Sequence, residues 1–315
     1  MRVLLAGASG TIGQAVAGTL VAAGHHVVCP LRPGVSPPVP GLTPLFCQIT
    51  APGSLHEALA PHTVDAVISC IASRSGASAD AWAVDHDAQL ALLNAAKTVG
   101  AQQFVLLSAI CVQKPMLTFQ RAKLAFEQQL QQSGLSWSIV RPTAFFKSLS
   151  GQIGRVQAGK PFLLFGDGTK TACKPISDED LAAYIVGCLT IPDRHNRVLP
   201  IGGPGPAITP REQGEGLFRM LGQPPKFKQV PFAMMDIIAG TLGTLGRVSP
   251  KLAEKAELAR IGRYYATESM LVWDDSANRY DADATPEYGT QTLWDHYAAL
   301  IRGDVQVDLG AHAVF

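Results

Sequence analysis

Three glycines at fixed spacing, Gly7-Ala8-Ser9-Gly10-Thr11-Ile12-Gly13, lie between the apolar run Arg2-Val3-Leu4-Leu5-Ala6 and a segment in which Ile12, Val16 and Leu20 recur at helical spacing. A strand that turns through glycines straight into a helix is the opening of a βα unit. Such a unit has to return a parallel neighbour, which commits the chain to an α/β sheet. Gly7 permits the tight turn, Gly10 lets backbone amides approach a pyrophosphate, and Gly13 permits close helix–sheet packing. The helix N-terminus then faces two phosphates of a dinucleotide. Gly7, Ser9, Gly10, Thr11, Ile12 and Gly13 are therefore expected to contact that cofactor.

The alternation continues through the first half of the chain. A helix from about Gly10 stops at Gly24, and His26–Leu31 reads as the second strand. Leu45–Ile49 and Ala66–Cys70 read as the third and fourth strands, with a short helix around Leu55–Leu59 between them. A long helix is predicted from near Trp82 to Val99, then a strand Phe104–Ser108, a helix carrying Phe119, Lys123, Phe126 and Leu130 on one face, and a strand Trp137–Val140. Beyond this the pattern loosens. Ser177 and Thr209-Pro210 look like helix starts, and Arg197–Ile201 is a candidate strand returning to the sheet. The expected organisation is a dinucleotide-binding domain over 1–150 and a mainly substrate-binding region over 151–315.

The composition, 47% hydrophobic and 16% charged with a formal net charge of +1, argues against disorder, nucleic-acid binding and a polybasic membrane anchor. Six scattered cysteines, Cys29, Cys47, Cys70, Cys111, Cys173 and Cys188, form no CxxC pair, which matches cytoplasmic rather than exported usage. The N-terminus runs directly into the first strand without the regions of a signal peptide. The longest apolar stretch, Val230 to Leu245, is interrupted by Asp236 and too short to span a bilayer. No metal-ligand constellation stands out, and a lone His86 reads as structural.

The end of the second strand discriminates between cofactors. An NAD-preferring domain places a carboxylate there to accept from the adenosine ribose. Here no Asp or Glu occurs before Glu57, and Arg32 follows the strand. A guanidinium at that place pairs with a 2′-phosphate, so NADPH is expected over NADH, a solvated surface arginine being the alternative. Cys70, Ile71 and Ala72, at the end of the fourth strand, belong beside the cofactor at the carboxyl edge of the sheet, and Pro142, after the sixth strand, is placed with them.

The GxxGxxG spacing resembles the extended and atypical branches of the short-chain dehydrogenase/reductase family, which implies a Rossmann fold. In that family the fifth strand ends in a serine and a Tyr-x-x-x-Lys pair follows on the next helix. This chain has Ser108 and Lys123 at the corresponding places but Phe119 where the tyrosine belongs. Phenylalanine donates no proton, so ordinary carbonyl reduction is disfavoured. Lys123 and Ser108 are retained as catalytic and cofactor-contacting candidates, with an exposed lysine and a strand-end cap as their ordinary readings.

Longer runs carry a narrower resemblance. Val67-Ile68-Ser69-Cys70-Ile71-Ala72-Ser73-Arg74, Leu106-Leu107-Ser108-Ala109-Ile110-Cys111-Val112-Gln113-Lys114-Pro115, Phe119-Gln120-Arg121-Ala122-Lys123 and Ile139-Val140-Arg141-Pro142-Thr143-Ala144-Phe145-Phe146-Lys147-Ser148 resemble the divinyl chlorophyllide 8-vinyl reductases of phototrophs. Phe165-Gly166-Asp167-Gly168, followed by Cys173-Lys174-Pro175-Ile176-Ser177, extends the match. The resemblance implies NADPH-dependent reduction of the 8-vinyl group of divinyl chlorophyllide or protochlorophyllide, both magnesium tetrapyrroles. Hydride added to a vinyl group conjugated with the macrocycle leaves a delocalised carbanion rather than an alkoxide, which lessens the need for a tyrosine acid. Lys123 would then supply the proton to the other vinyl carbon, directly or through water.

A flat apolar macrocycle bearing a propionate calls for aromatic walls and a cation. Phe145, Phe146 and the segment Phe232–Leu245 are candidates for the walls, and Lys147 or Arg155 for the carboxylate; helix packing and solvated charge are the ordinary readings. A pigment substrate further implies peripheral contact with photosynthetic membranes. Two other readings stay open: a non-catalytic NADP-sensing regulator, and a tyrosine-free reductase of another conjugated alkene or benzylic ether.

Overall fold

A computed structural model of the chain describes residues 1–51, 53–74, 76–245 and 249–305. The chain divides into two compact units, one formed by Met1–Pro142 with Asp178–Leu199, the other by Thr143–Ser177 with Pro200–Phe315. The expected boundary near Gly151 thus falls at Pro142, where strand β6 ends, and the first unit is discontinuous.

The first unit opens with β1 (Arg2–Ala6), α1 (Thr11–Ala22), β2 (His26–Leu31), β3 (Leu42–Phe46), α2 (Ser54–Leu59) and β4 (Ala66–Ser69). One continuous helical run follows, made of α3 (Ser78–Ala81), a π-helical turn over Trp82–Ala88 and α4 (Gln89–Thr98). Next come β5 (Gln103–Leu107), a 3₁₀ turn at Ile110–Gln113, α5 (Thr118–Gln131) and β6 (Ser136–Pro142). In the second unit the chain makes α6 (Phe146–Leu149), α7 (Ile153–Gln157) and β7 (Phe162–Phe165). It then supplies α8 (Asp178–Gly187) to the first unit, followed by β8 (Arg197–Ile201).

The main sheet has seven strands in the order β3-β2-β1-β4-β5-β6-β8, and every ladder from β3 to β6 is parallel. This is the doubly wound α/β fold that the sequence predicts. Helices cover both faces, so the central strands are apolar throughout: Val3, Leu4, Leu5 and Ala6 are all fully buried, as are Ala66, Val67 and Ile68. Phe104 of β5 meets Phe126 of α5 with ring centroids 5.8 Å apart, inside a core that includes Leu4, Val67, Leu92 and Ile139.

The chain runs outward from β1 to β2 and β3, then returns to β4 on the other side of β1. That reversal opens a crevice at the carboxyl ends of β1 and β4, the place where such sheets bind ligands.

The third strand is a correction. It occupies Leu42–Phe46 rather than 45–49, starting directly after Gly41, whose φ is +88°. It includes Pro44, paired with Cys29. Proline is tolerated because β3 lies at the edge of the sheet, with one side free of ladder bonds.

The second unit is completed by α9 (Pro210–Met220), β9 (Phe227–Val230), α10 (Phe232–Leu245), α11 (Pro250–Thr267), β10 (Val272–Asp274), β11 (Arg279–Asp281) and α12 (Leu293–Arg302). Its strands form two small pairs, β7 with β9 in parallel and β10 with β11 antiparallel. The Thr209 hydroxyl accepts from the Glu212 amide, and Glu212 in turn accepts from the Thr209 amide, so the helix start expected at Thr209-Pro210 is a capping box. Its core joins Phe146, Val156, Phe162, Leu217, Phe218 and Tyr297.

Candidate cofactor and active site

The glycine loop fixes the first wall of the crevice. Gly7 takes φ +85°, a left-handed conformation that disfavours a side chain, and a Cβ there would lie 2.7 Å from the carbonyl carbon and oxygen of Cys70. A Cβ on Gly13 would lie 2.0 Å from the Gly7 oxygen. Gly10 is different, since its Cβ would sit 3.4 Å from the same oxygen, an ordinary contact. Two glycines are thus demanded by the protein itself. The third leaves open space in front of the first turn of α1, whose amides have no intrahelical acceptor.

Ser9 and Thr11 are exposed on the loop, whereas Ile12 is buried beneath it and presents only its backbone. These features fit a dinucleotide pyrophosphate: a cradle in which side chains would collide, opening onto a helix N-terminus. Arg32 is the first residue after β2 and is exposed, with no ion pair to its guanidinium among the described residues.

The second wall continues β4. The Cys70 amide donates to the Ala6 carbonyl at 2.8 Å, prolonging the β1–β4 ladder and bringing Cys70 and Ile71 against Gly7. Burial pushes the Cys70 thiol up to about 12, so it is a neutral group at physiological pH. The following loop is held by side chains of the long helix. Ser69 donates to Gln89 at 2.7 Å, and Gln89 donates to the Ile71 carbonyl at 3.2 Å. Both the amide and the hydroxyl of Ser73 donate to Asp85, at 3.2 and 2.6 Å.

Asp85 also receives Lys123. The ammonium Nζ lies 2.9 Å from Asp85 Oδ1, with the lysine side chain 10% exposed and the carboxylate fully buried. Lys123 is therefore no solvated helix lysine. Phe119 lies one turn before it on α5, half-buried. Asp85 sits in the π-helical turn, a distortion of the kind that recurs at functional sites because it re-aims side chains.

Ser108 has a different engagement. Its amide donates to the Val140 carbonyl at 2.7 Å, extending the β5–β6 ladder, and its hydroxyl donates to Glu127 Oε1 at 2.5 Å. Glu127, 2% exposed, is paired in turn with the Arg141 guanidinium. The Ser108 hydroxyl proton is thus committed to a buried carboxylate. Pro142 is buried at the end of β6.

In the second unit lies Phe146, expected from the sequence as a pocket wall. It is 4% exposed, packs in the core, and stacks obliquely on His296 at 5.3 Å because α6 turns it inward. Phe145 is half-buried, its backbone bridged to Ile176, and Lys147 is half-buried beside it. Arg155 donates to the Pro161 carbonyl at 2.8 Å, a loop contact.

The NAD(P)H-binding family matches residues 7–192. The divinyl chlorophyllide a 8-vinyl-reductase of Zea mays is 48% identical, over 99% of this chain and 82% of its own length. The chain belongs to the divinyl chlorophyllide a 8-vinyl-reductase family. A second member of that family, from Arabidopsis thaliana, is 46% identical over 96% of this chain and 77% of its own. An NADPH-dependent quinone oxidoreductase of Escherichia coli shares the fold, with a TM-score of 0.67 at 17% identity over 95% of this chain and 99% of the other.

Four residues of the candidate site escaped the reading of the sequence: Asp85, Gln89, Glu127 and Arg141. One signal was available for Glu127, which follows Lys123 by four residues and so shares its helix face. Asp85 gave none, since its partner lies 38 positions away.

Proposed function

We propose that this chain reduces the 8-vinyl group of divinyl chlorophyllide or divinyl protochlorophyllide to ethyl, using NADPH. The observation that carries the reading is the near-complete alignment, at 48% identity, with a divinyl chlorophyllide a 8-vinyl-reductase. The Lys123–Asp85 pair beside a phenylalanine supports it, since the site offers a lysine held by a buried carboxylate and lacks the tyrosine that carbonyl chemistry uses.

Each residue then has a task. Gly7, Gly10 and Gly13, with the backbone of Ser9, Thr11 and Ile12, would hold the pyrophosphate, and Arg32 would receive the 2′-phosphate. NADPH, when bound, supplies the hydride. Cys70, Ile71 and Ala72 would line the cofactor as an uncharged wall, kept in place by Gln89 and Asp85. Lys123 Nζ would bind the cofactor ribose and deliver the proton, directly or through a water, while Asp85 holds its position. Ser108 would order this edge through Glu127 and Arg141. Phe145 and Lys147 are retained as substrate contacts, and a pigment substrate brings peripheral association with photosynthetic membranes.

Purified protein mixed with NADPH and divinyl chlorophyllide should shift the pigment's blue absorption band as NADPH is oxidised. Binding of NADPH without a band shift would reject the reading in favour of a cofactor-sensing regulator. Lys123→Met should abolish the shift while sparing most NADPH binding; full turnover by that variant would remove the lysine from the chemistry.

A further inference from the structure

Helix α10 has an aliphatic outer side. Met235 and Ala239 are buried, whereas Met234, Ile237 and Ile238 are 44%, 67% and 37% exposed. With Thr241 these fall at i, i+3, i+4 and i+7, a single stripe along the helix. The one charged residue of α10, Asp236, is paired with Arg263 of α11 at 2.9 Å, so the helix carries no uncompensated charge. A surface helix ordinarily turns charged residues outward, and a contiguous apolar stripe on water marks a surface that something covers. Leu258 and Tyr265 of α11 are also exposed.

Charge identifies the cover. Between Lys226 and Arg263 the chain carries seven lysines and arginines against three carboxylates, although its formal net charge overall is only +1. Two of those carboxylates are already paired within the α10–α11 hairpin, Asp236 with Arg263 and Glu257 with Arg260. Lys226 and Lys228, just before α10, and Lys255 on α11 are exposed. A second copy of the chain would bring the same positive excess against itself, which opposes a symmetric contact. A soluble anion would leave the stripe uncovered. An apolar stripe with basic flanks is the chemistry of an interfacial helix on an anionic bilayer: the aliphatic side chains enter the acyl boundary and the lysines meet headgroup phosphates.

We propose that α10, with its flanking lysines, docks this chain onto the surface of an anionic lipid bilayer. It lies on the bilayer without crossing it, and no helix among the described residues is long and apolar enough to span one. The inference gives a surface to the peripheral association proposed above. Its physical basis is independent of the reductase reading, so the two fail separately.

The test is flotation with vesicles of phosphatidylcholine alone or mixed with phosphatidylglycerol, at low and high salt. The full chain should float with the mixed vesicles and not with phosphatidylcholine alone. High salt, or the pair Lys228→Glu and Lys255→Glu, should lower binding about tenfold. The pair Met234→Glu and Ile237→Glu should lower it at least as much at either salt, about tenfold or more. These positions are exposed, and unchanged circular dichroism and NADPH affinity would show that the fold is intact. A chain that stays in the aqueous fraction, or variants that float like the original, overturns the proposal. So does flotation unchanged in the Ile237 variant alongside lost turnover of detergent-solubilised pigment, which would assign the stripe to substrate. Self-association abolished by the same variant, with vesicles ignored by both proteins, would assign it to a second copy.

Discussion

The glycine loop and the Lys123 cluster lie in the same unit of the chain, yet they are built in opposite ways. The loop is local. Three glycines within seven residues set its path, and its closest constraint, Gly13 against the Gly7 oxygen, spans six positions. The cluster is assembled at long range, from a lysine on α5, an aspartate 38 residues earlier and a serine of the β4 loop. Short-range constraints leave a signature that spacing reveals. Long-range ones do not, because any buried carboxylate in the right helix face would satisfy the same lysine.

The strongest attempt to break this contrast is substitution of the glycines one at a time. Gly13→Ala should prevent a folded cofactor site, because a Cβ 2.0 Å from a backbone oxygen forces the strand–helix packing apart. Little folded protein and no measurable NADPH fluorescence enhancement are expected. Gly10→Ala should fold with nearly unchanged melting temperature but lose NADPH affinity, since its Cβ makes only an ordinary 3.4 Å contact with the Gly7 oxygen and would crowd the phosphates.

At the cluster, Lys123→Met should leave the buried Asp85 without its counter-charge, costing about 3–5 kcal/mol in denaturant unfolding. Adding Asp85→Asn should restore much of that stability, and none of the turnover. If the double variant were as unstable as the single one, the pair would not be the interaction that matters.

A smaller effect is expected at Arg32. Arg32→Ala should raise the KM for NADPH about tenfold and leave that for NADH unchanged, as the loss of one charge-assisted contact to a phosphate implies. Equal changes for both cofactors would return Arg32 to the solvated surface.

The smallest effect belongs to the amino edge of the same two strands. Arg2 donates from both its amide and its guanidinium to Asp65, which holds that carboxyl below the usual range. A depressed folded pKa contributes stability above the unfolded value, and that contribution is lost as pH falls through the folded one. Asp65→Asn should therefore lower the melting temperature slightly at neutral pH, converge with the original in acid, and leave turnover untouched. The pair is exposed on both sides, so the change should stay within about 1 kcal/mol.

Much of this protein was legible without coordinates. Spacing determined the βα opening, the alternation of strands and helices, the face of α5 that carries Lys123 and Phe126, and the helix start at Thr209. The early absence of carboxylates, with Arg32 after β2, posed the cofactor question. All of these depend on residues a few positions apart, where backbone geometry alone relates them.

Tertiary structure decided the rest. Edge placement of β3 accommodated Pro44, which strand preference alone would reject. Packing turned Phe146 into the core while Phe145, its neighbour, stayed half-exposed. The π-helical turn aimed Asp85 at Lys123, and Glu127 captured the Ser108 hydroxyl. In each case the outcome depends on which distant surface or charge fills the space around a side chain, and a linear pattern does not contain that information.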